Sequence, residues 1–187
     1  PSVSVVCAAW NGVTAPATRG VNVALMSASV HIRSARLEDT SALAAAHVRA
    51  WRDTYRDEVP ERVYAEMDRE GAGRWAQRLD DPQDSATWLA VEHDSGQVAG
   101  FALAEATGPG DVRPLRLGAL YVLSDWQGQG LGQALLEYAV GDAPAYLWVA
   151  EHNLRAQAFY QRNGFTLDGA READPRWGGI VDLRMVR

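Results

Sequence analysis

The sequence predicts a single mixed α/β domain, and three observations carry that prediction. Short apolar runs alternate with helical stretches in the order β-α-α-β-β-β-α-β-α-β-β. The turn Asp94-Ser95-Gly96 joins two of those runs as an antiparallel hairpin. A glycine-rich hexapeptide, Gln127-Gly128-Gln129-Gly130-Leu131-Gly132, stands between a strand and an amphipathic helix. With 187 residues, 47% of them hydrophobic, and seven tryptophans, the chain is large and apolar enough to bury one proper core.

Residues 1–29 differ from the rest. They hold one charged residue, Arg19, and show no helical period. They lack the basic start of a secretory signal. Met26-Ser27-Ala28-Ser29 reads as the true start, which makes the preceding stretch an upstream extension and sets the domain at 30–187.

Residues 30–33 alternate as a half-buried strand. Glu38-Asp39-Thr40 offers capping chemistry for an alanine-rich helix to about Tyr55, with Leu43, His47, Ala50, Trp51 and Thr54 on one face. Pro60 suits the first turn of a second helix, which Gly71 and Gly73 interrupt and which ends before Pro82. Residues 87–92 and 98–104 are the hairpin strands, and 115–123 a fourth strand. After the glycine turn, Leu131, Ala134, Leu135 and Tyr138 stack at helical spacing until Gly141 and Pro144. A fifth strand covers 145–150, and Asn153 caps a helix ending at Asn163-Gly164. Residues 165–167 and 180–186 supply the closing strands.

Charge and composition narrow the function classes. The net charge of −6, from 18 basic and 24 acidic residues, argues against a nucleic-acid partner, which needs concentrated positive charge. The single cysteine, Cys7, excludes an intramolecular disulfide and fits a reducing, cytoplasmic compartment. The histidines at 31, 47, 93 and 152 have no metal-ligand spacing, so no metal is expected. No apolar run reaches the roughly 18 residues that span a bilayer, so no membrane partner is expected either.

The glycine loop is the most informative stretch. Glycines let the main chain approach a ligand closely, and the first helical turn offers unpaired N–H groups with a favourable dipole. Together they make a site for phosphate or pyrophosphate. Two other readings of the loop stand beside this one. It is a tight turn that needs glycine for packing, or a dinucleotide fingerprint with Glu151 as the ribose-binding acid. Against the second, Gln133 stands where that motif needs a glycine, and the loop follows a fourth strand rather than a first. No Gly-Lys-Ser/Thr ends the motif, so it is not a P-loop.

The stretch Leu120-Tyr121-Val122-Leu123-Ser124-Asp125-Trp126, continued by the glycine hexapeptide, resembles the signature of the GNAT superfamily of acyl-CoA N-acyltransferases. Asn153-Leu154-Arg155-Ala156-Gln157-Ala158-Phe159-Tyr160 and Asn163-Gly164-Phe165 extend the resemblance. It covers about 30–187, and Trp51-Arg52-Asp53-Thr54-Tyr55 resembles the first-helix region of a common bacterial branch. The resemblance implies one largely antiparallel sheet of six to seven strands with helices on both faces, its fourth and fifth strands parallel and splayed. It implies acetyl-CoA as co-substrate and a homodimer, as in many relatives. By the same resemblance, the amides from Gln127 to Gly132, with Gln133, hold the pyrophosphate, and Leu120, Tyr121 and Val122 receive the pantetheine arm as an added strand. The Val122 N–H is then placed to polarise the thioester carbonyl. Asn153 and Ala156 border the same arm, and Tyr160 protonates the departing thiolate. Two plainer readings remain: Tyr160 as a core aromatic, and Asn153 as only a helix cap.

The acceptor is less legible. Trp51, Tyr55, Tyr121 and Trp148 are candidate walls for an apolar or cationic small amine. Some relatives carry a glutamate where this chain has Trp148, so a dedicated base on the fifth strand is not expected. Glu105 and Glu151 are the nearby carboxylates, and a water relay to bulk is the favoured route for the proton. The sequence therefore predicts acetyl transfer from acetyl-CoA to a small-molecule primary amine. The rival functions are a non-catalytic CoA-binding sensor or scaffold, an N-terminal or lysine acetyltransferase acting on protein, and a nucleotide-binding oxidoreductase.

Overall fold

Seven strands form one sheet, and the computed structural model describes residues 29–187 of the chain. The readings of Cys7, Arg19 and Met26 lie outside the described residues. In chain order the strands are β1 (Val30–Ser34), β2 (Ser85–Glu92), β3 (Val98–Ala106), β4 (Leu115–Val122), β5 (Ala145–Ala150), β6 (Thr166–Ala173) and β7 (Val181–Val186). The helices are α1 (Thr40–Tyr55), α2 (Glu61–Asp80), α3 (Leu131–Ala139) and α4 (Leu154–Arg162). The sheet order is β1-β2-β3-β4-β5-β7-β6, antiparallel throughout except for the parallel pair β4 and β5. The mixed, largely antiparallel sheet expected from the sequence is therefore present.

The two faces of the sheet are covered by different helices. On one face Leu43, Ala46 and Ala50 of α1 and Trp75 of α2 pack on Leu89, Phe101 and Leu103. On the other, Leu131 and Leu135 of α3 meet Ala90, Ala99 and Ala102. Leu136, Tyr160 of α4 and Phe165 close over Leu117, Leu147 and Met185 there. Each large apolar side chain buried this way stabilises the fold by roughly 1.5–3 kcal/mol.

Four expectations change. Helix α2 runs unbroken through Gly71 and Gly73. A side chain at Gly71 would begin 3.4 Å from the Ala44 Cβ, in ordinary van der Waals contact across the α1–α2 seam. A helical glycine costs about 1 kcal/mol against alanine, less than the burial of Val63, Tyr64 and Trp75 returns. Asp39 stands at the α1 N-cap position without capping it. Its carboxylate instead accepts from Arg33 Nη1 and Nη2 and from the Arg36 N–H, all at 2.7 Å, and so ties β1 to the helix start. Pro60 precedes the first turn of α2 rather than standing in it, and β6 extends to Ala173, far past the expected end at 167.

Candidate functional site

Strands β4 and β5 pair at only three positions, Leu115 with Ala145, Arg116 with Tyr146 and Leu117 with Leu147. The pairing stops where β4 bulges. On the β3 side Ala104 faces Leu117 and Leu103 faces Ala119, so Gly118 is the extra residue. A bulge bends its strand, and beyond Gly118 β4 leaves β5. The Leu123 N–H donates to the Ala99 carbonyl at 2.9 Å, toward β3. By alternation Leu120 and Val122 turn their backbone groups the other way, into the gap. Gln127 Nε2 caps the Val122 carbonyl at 2.9 Å, which leaves the Val122 N–H facing that gap.

The gap opens into a cleft of about 1240 Å³ that continues over the glycine turn. Its volume exceeds the roughly 300–1,000 Å³ of most small-molecule pockets and suits an extended ligand. Gly128 and Gly130 both have φ +79, a left-handed conformation that favours glycine. Gly130 forms the N-cap of α3, and no protein atom lies within 4 Å of where a Cβ on either would stand. The helix start therefore presents bare backbone to the cleft, which fits a pyrophosphate. Arg155, which the sequence reading passed over, donates to Gln127 Oε1 beside this turn and lines the same cleft. Its cation adds local positive charge to a chain of negative net charge.

Tyr160 is 8% exposed, its ring packed between Phe159 (5.2 Å between centroids) and Phe165 (5.8 Å), and it lines the cleft. Burial, with Tyr55 adding to it, raises its phenol well above the usual range, so it stays protonated at neutral pH. Burial raises Tyr55 and Tyr121 as well, and these phenols cluster with Tyr160. Tyr55 and Tyr121 lie on the α1 face while Tyr160 comes from α4, so the three meet through the splayed sheet.

Asn153 caps α4, its Oδ1 accepting from the Ala156 N–H at 3.0 Å. Buried Gln157, also unremarked in the sequence, donates to the carbonyls of Ala150 (3.2 Å) and Glu151 (2.8 Å) and fixes α4 to the end of β5. Beyond Tyr55 the cleft ends at Arg52, Arg56, Trp148 and His152. The imidazole Nδ1 of His152 is 3.3 Å from Glu58 Oε2, and its ring stands edge-on to Tyr55 at 6.3 Å. Asp182 lies nearby on β7, its carboxyl raised by burial and by Glu172 and lowered by His152.

Of the residues singled out from sequence, Leu120, Tyr121, Val122, Gln127, Gly128, Gly130, Leu131, Gly132, Gln133, Asn153, Ala156 and Tyr160 all line this one cleft, with Tyr55 and Trp148. Gln129 does not: its side chain turns back to the Asp125 carbonyl at 3.4 Å. Trp51 lies behind the wall, packed against His47, Tyr55 and Trp177. Neither suspected carboxylate reaches the cleft. Arg78 holds Glu105 at 2.7 Å and Arg171 holds Glu151 at 2.9 Å. Among the described residues no group of three or more potential ligands is placed to hold a metal ion, and no helix is long and apolar enough to cross a membrane.

Residues 47–165 match the model of the Acetyltransferase (GNAT) family. The chain is 32% identical over 120 residues to an uncharacterized N-acetyltransferase of Mycobacterium tuberculosis, covering 60% of this chain and 73% of that one. It is 35% identical over 92 residues to a peptidyl-lysine N-acetyltransferase of Salmonella typhimurium, covering 49% and 57%. Among solved structures, the PaiA N-acetyltransferase of Thermoplasma acidophilum in complex with coenzyme A superposes with a TM-score of 0.66. That match is 20% identical, covers 83% of this chain and 98% of the other, and speaks for a shared fold.

Proposed function

We propose that this chain, which belongs to the GNAT family of acetyltransferases, transfers an acetyl group from acetyl-CoA directly to the primary amine of a small molecule. The observation that carries the reading is the opening of β4 from β5 after Leu117, with the glycine turn at one end and Tyr160 inside. The pyrophosphate would lie on the amides of Gln127 to Gly132 with Arg155 beside them, and the acyl arm along Leu120 and Val122. This assignment deepens the same reading for Asn153 and Ala156, which border the arm.

The chemistry follows from those positions. An alkylammonium first loses one proton, since only the neutral amine is nucleophilic. Its lone pair then forms the C–N bond while the Val122 N–H stabilises the oxygen gaining charge. The C–S bond breaks, the sulfur takes the phenolic proton of Tyr160, and the surplus proton on nitrogen replaces it. One proton is released per turnover. No enzyme nucleophile is required.

The aromatic end formed by Tyr55, Tyr121 and Trp148 supports a small apolar or cationic acceptor. A lysine side chain is the second reading, favoured by the similarity to the Salmonella peptidyl-lysine enzyme. We extend the proposal to a homodimer through the exposed outer strand β6, where Leu167 is 47% exposed; a monomer at all concentrations in sedimentation would remove that part. The main test is free-thiol release from acetyl-CoA across a panel of small amines and lysine peptides. Turnover with small amines supports the proposal, turnover with peptides alone favours the second reading, and CoA binding without turnover leaves only a sensor.

A further inference from the structure

We propose that His152, which stands beside Glu58, accepts the proton that the acceptor ammonium must lose before it attacks. This rests on the acetyltransferase reading of the cleft and names the group that the sequence left to an undirected water relay. Among the described cleft-lining residues, His152 is the one imidazole and Asp53 the one carboxylate, and imidazole is the commoner general base. The two carboxylates suspected from sequence are held outside by arginines.

The imidazole Nδ1 stands 3.3 Å from the Glu58 carboxylate, and Nε2 lies on the far side of the ring, where it can take a proton. The ring lies one aromatic contact, through Tyr55, from the cluster that includes Tyr160. The charged and titratable groups around it are Glu58 and Arg56 from the turn after α1, Tyr55 with Arg52 and Asp53 from α1, and Asp182 from β7. With the His152 side chain 41% exposed, the proton can pass on to bulk water.

The backbone of the turn that carries Glu58 is held by distant parts of the chain. Arg56 ends α1 at φ 44, an unusual angle for a residue with a side chain, and its carbonyl accepts from the Tyr64 hydroxyl at 3.0 Å. From the other side Gly178, at φ +84, approaches so closely that a Cβ there would lie 2.2 Å from the Glu58 carbonyl oxygen.

The test compares two acceptors with the full-length chain: an alkylamine, which is protonated at neutral pH, and an alkoxyamine, which is already neutral there. His152→Gln should lower kcat/KM for the alkylamine about 100-fold and leave the alkoxyamine close to wild type. Glu58→Gln should lower kcat/KM for the alkylamine and leave the alkoxyamine close to wild type, because Glu58 stands 3.3 Å from the imidazole. Equal losses with both acceptors, or undiminished turnover, would overturn the proposal. Should His152→Gln fail to fold, judged by loss of its thermal shift with CoA, the same comparison in Glu58→Gln decides alone. A wild-type chain that releases no thiol with any amine would instead overturn the acetyl-transfer reading, and the proposal with it.

Discussion

Burial separates Tyr160 from an ordinary surface phenol. Because its pKa is raised, the proton is retained through the neutral range, and any loss of activity from its ionisation comes only above about pH 10. Tyr160→Phe keeps the packing against Phe159 and Phe165 and removes the donor, so kcat should fall about 100-fold with little change in CoA affinity. Steady-state kinetics with a CoA titration checks both halves. His47 makes a different prediction. It sits among Trp51, Trp75, Phe101 and Tyr121, where burial lowers its pKa to about 4. As pH falls from 6.5, the unfolded chain takes this proton before the folded one. The contribution of neutral His47 is present above pH 6.5 and is lost as pH falls toward about 4, by on the order of 3 kcal/mol. His47→Leu should flatten thermal stability across that window. At this scale the sequence named Tyr160 and Asn153 because they lie in a motif. Glu58 and His152 are 94 positions apart, and no local pattern announces that their side chains meet.

Elements were legible where local chemistry and packing agree. The Asp94-Ser95-Gly96 turn gave the hairpin because Gly96 takes φ +70 there, and Gly130 marked a helix start for the same kind of reason. They were misread where a tertiary contact overrides local preference. Gly71 and Gly73 look like helix breakers in isolation, yet the apolar stripe of α2 holds the helix through them. Gly73 is exposed, with nothing within 4 Å of its would-be side chain. Gly73→Ala should therefore stabilise the fold by about 0.5–1 kcal/mol and leave turnover unchanged, measured by urea unfolding and thiol release. The sequence shows only 165–167 of this strand, because the residues of β6 are almost all exposed and leave no buried alternation to read. The Gly118 bulge left no trace either, since it is defined by the partner register in β3.

At the scale of the whole molecule, the site exists because one sheet is incomplete. Two sheet halves, β1 to β4 and β5 to β6, are joined by three residue pairs of β4 with β5 and by the helices that cover both faces. A ligand lying in the opening would add backbone pairing that the apo sheet lacks, and so would bind the folded chain and not the unfolded one. At a hundredfold excess over its Kd such a ligand stabilises by about 2.7 kcal/mol. For a chain of this size that is a rise in Tm of roughly 5–11 °C, at 2–4 °C for each kcal/mol. Acetyl-CoA should produce this shift and NAD should not, because the glycine turn follows the fourth strand and faces the β4–β5 opening. Tyr160→Phe should keep the shift, since the phenol donates to a leaving group rather than holding the ligand. Gly130→Ala should diminish it, because a side chain at φ +79 strains the turn that presents the amides. Loss of the shift in Tyr160→Phe, or its survival in Gly130→Ala at wild-type affinity, would detach the glycine turn from ligand binding.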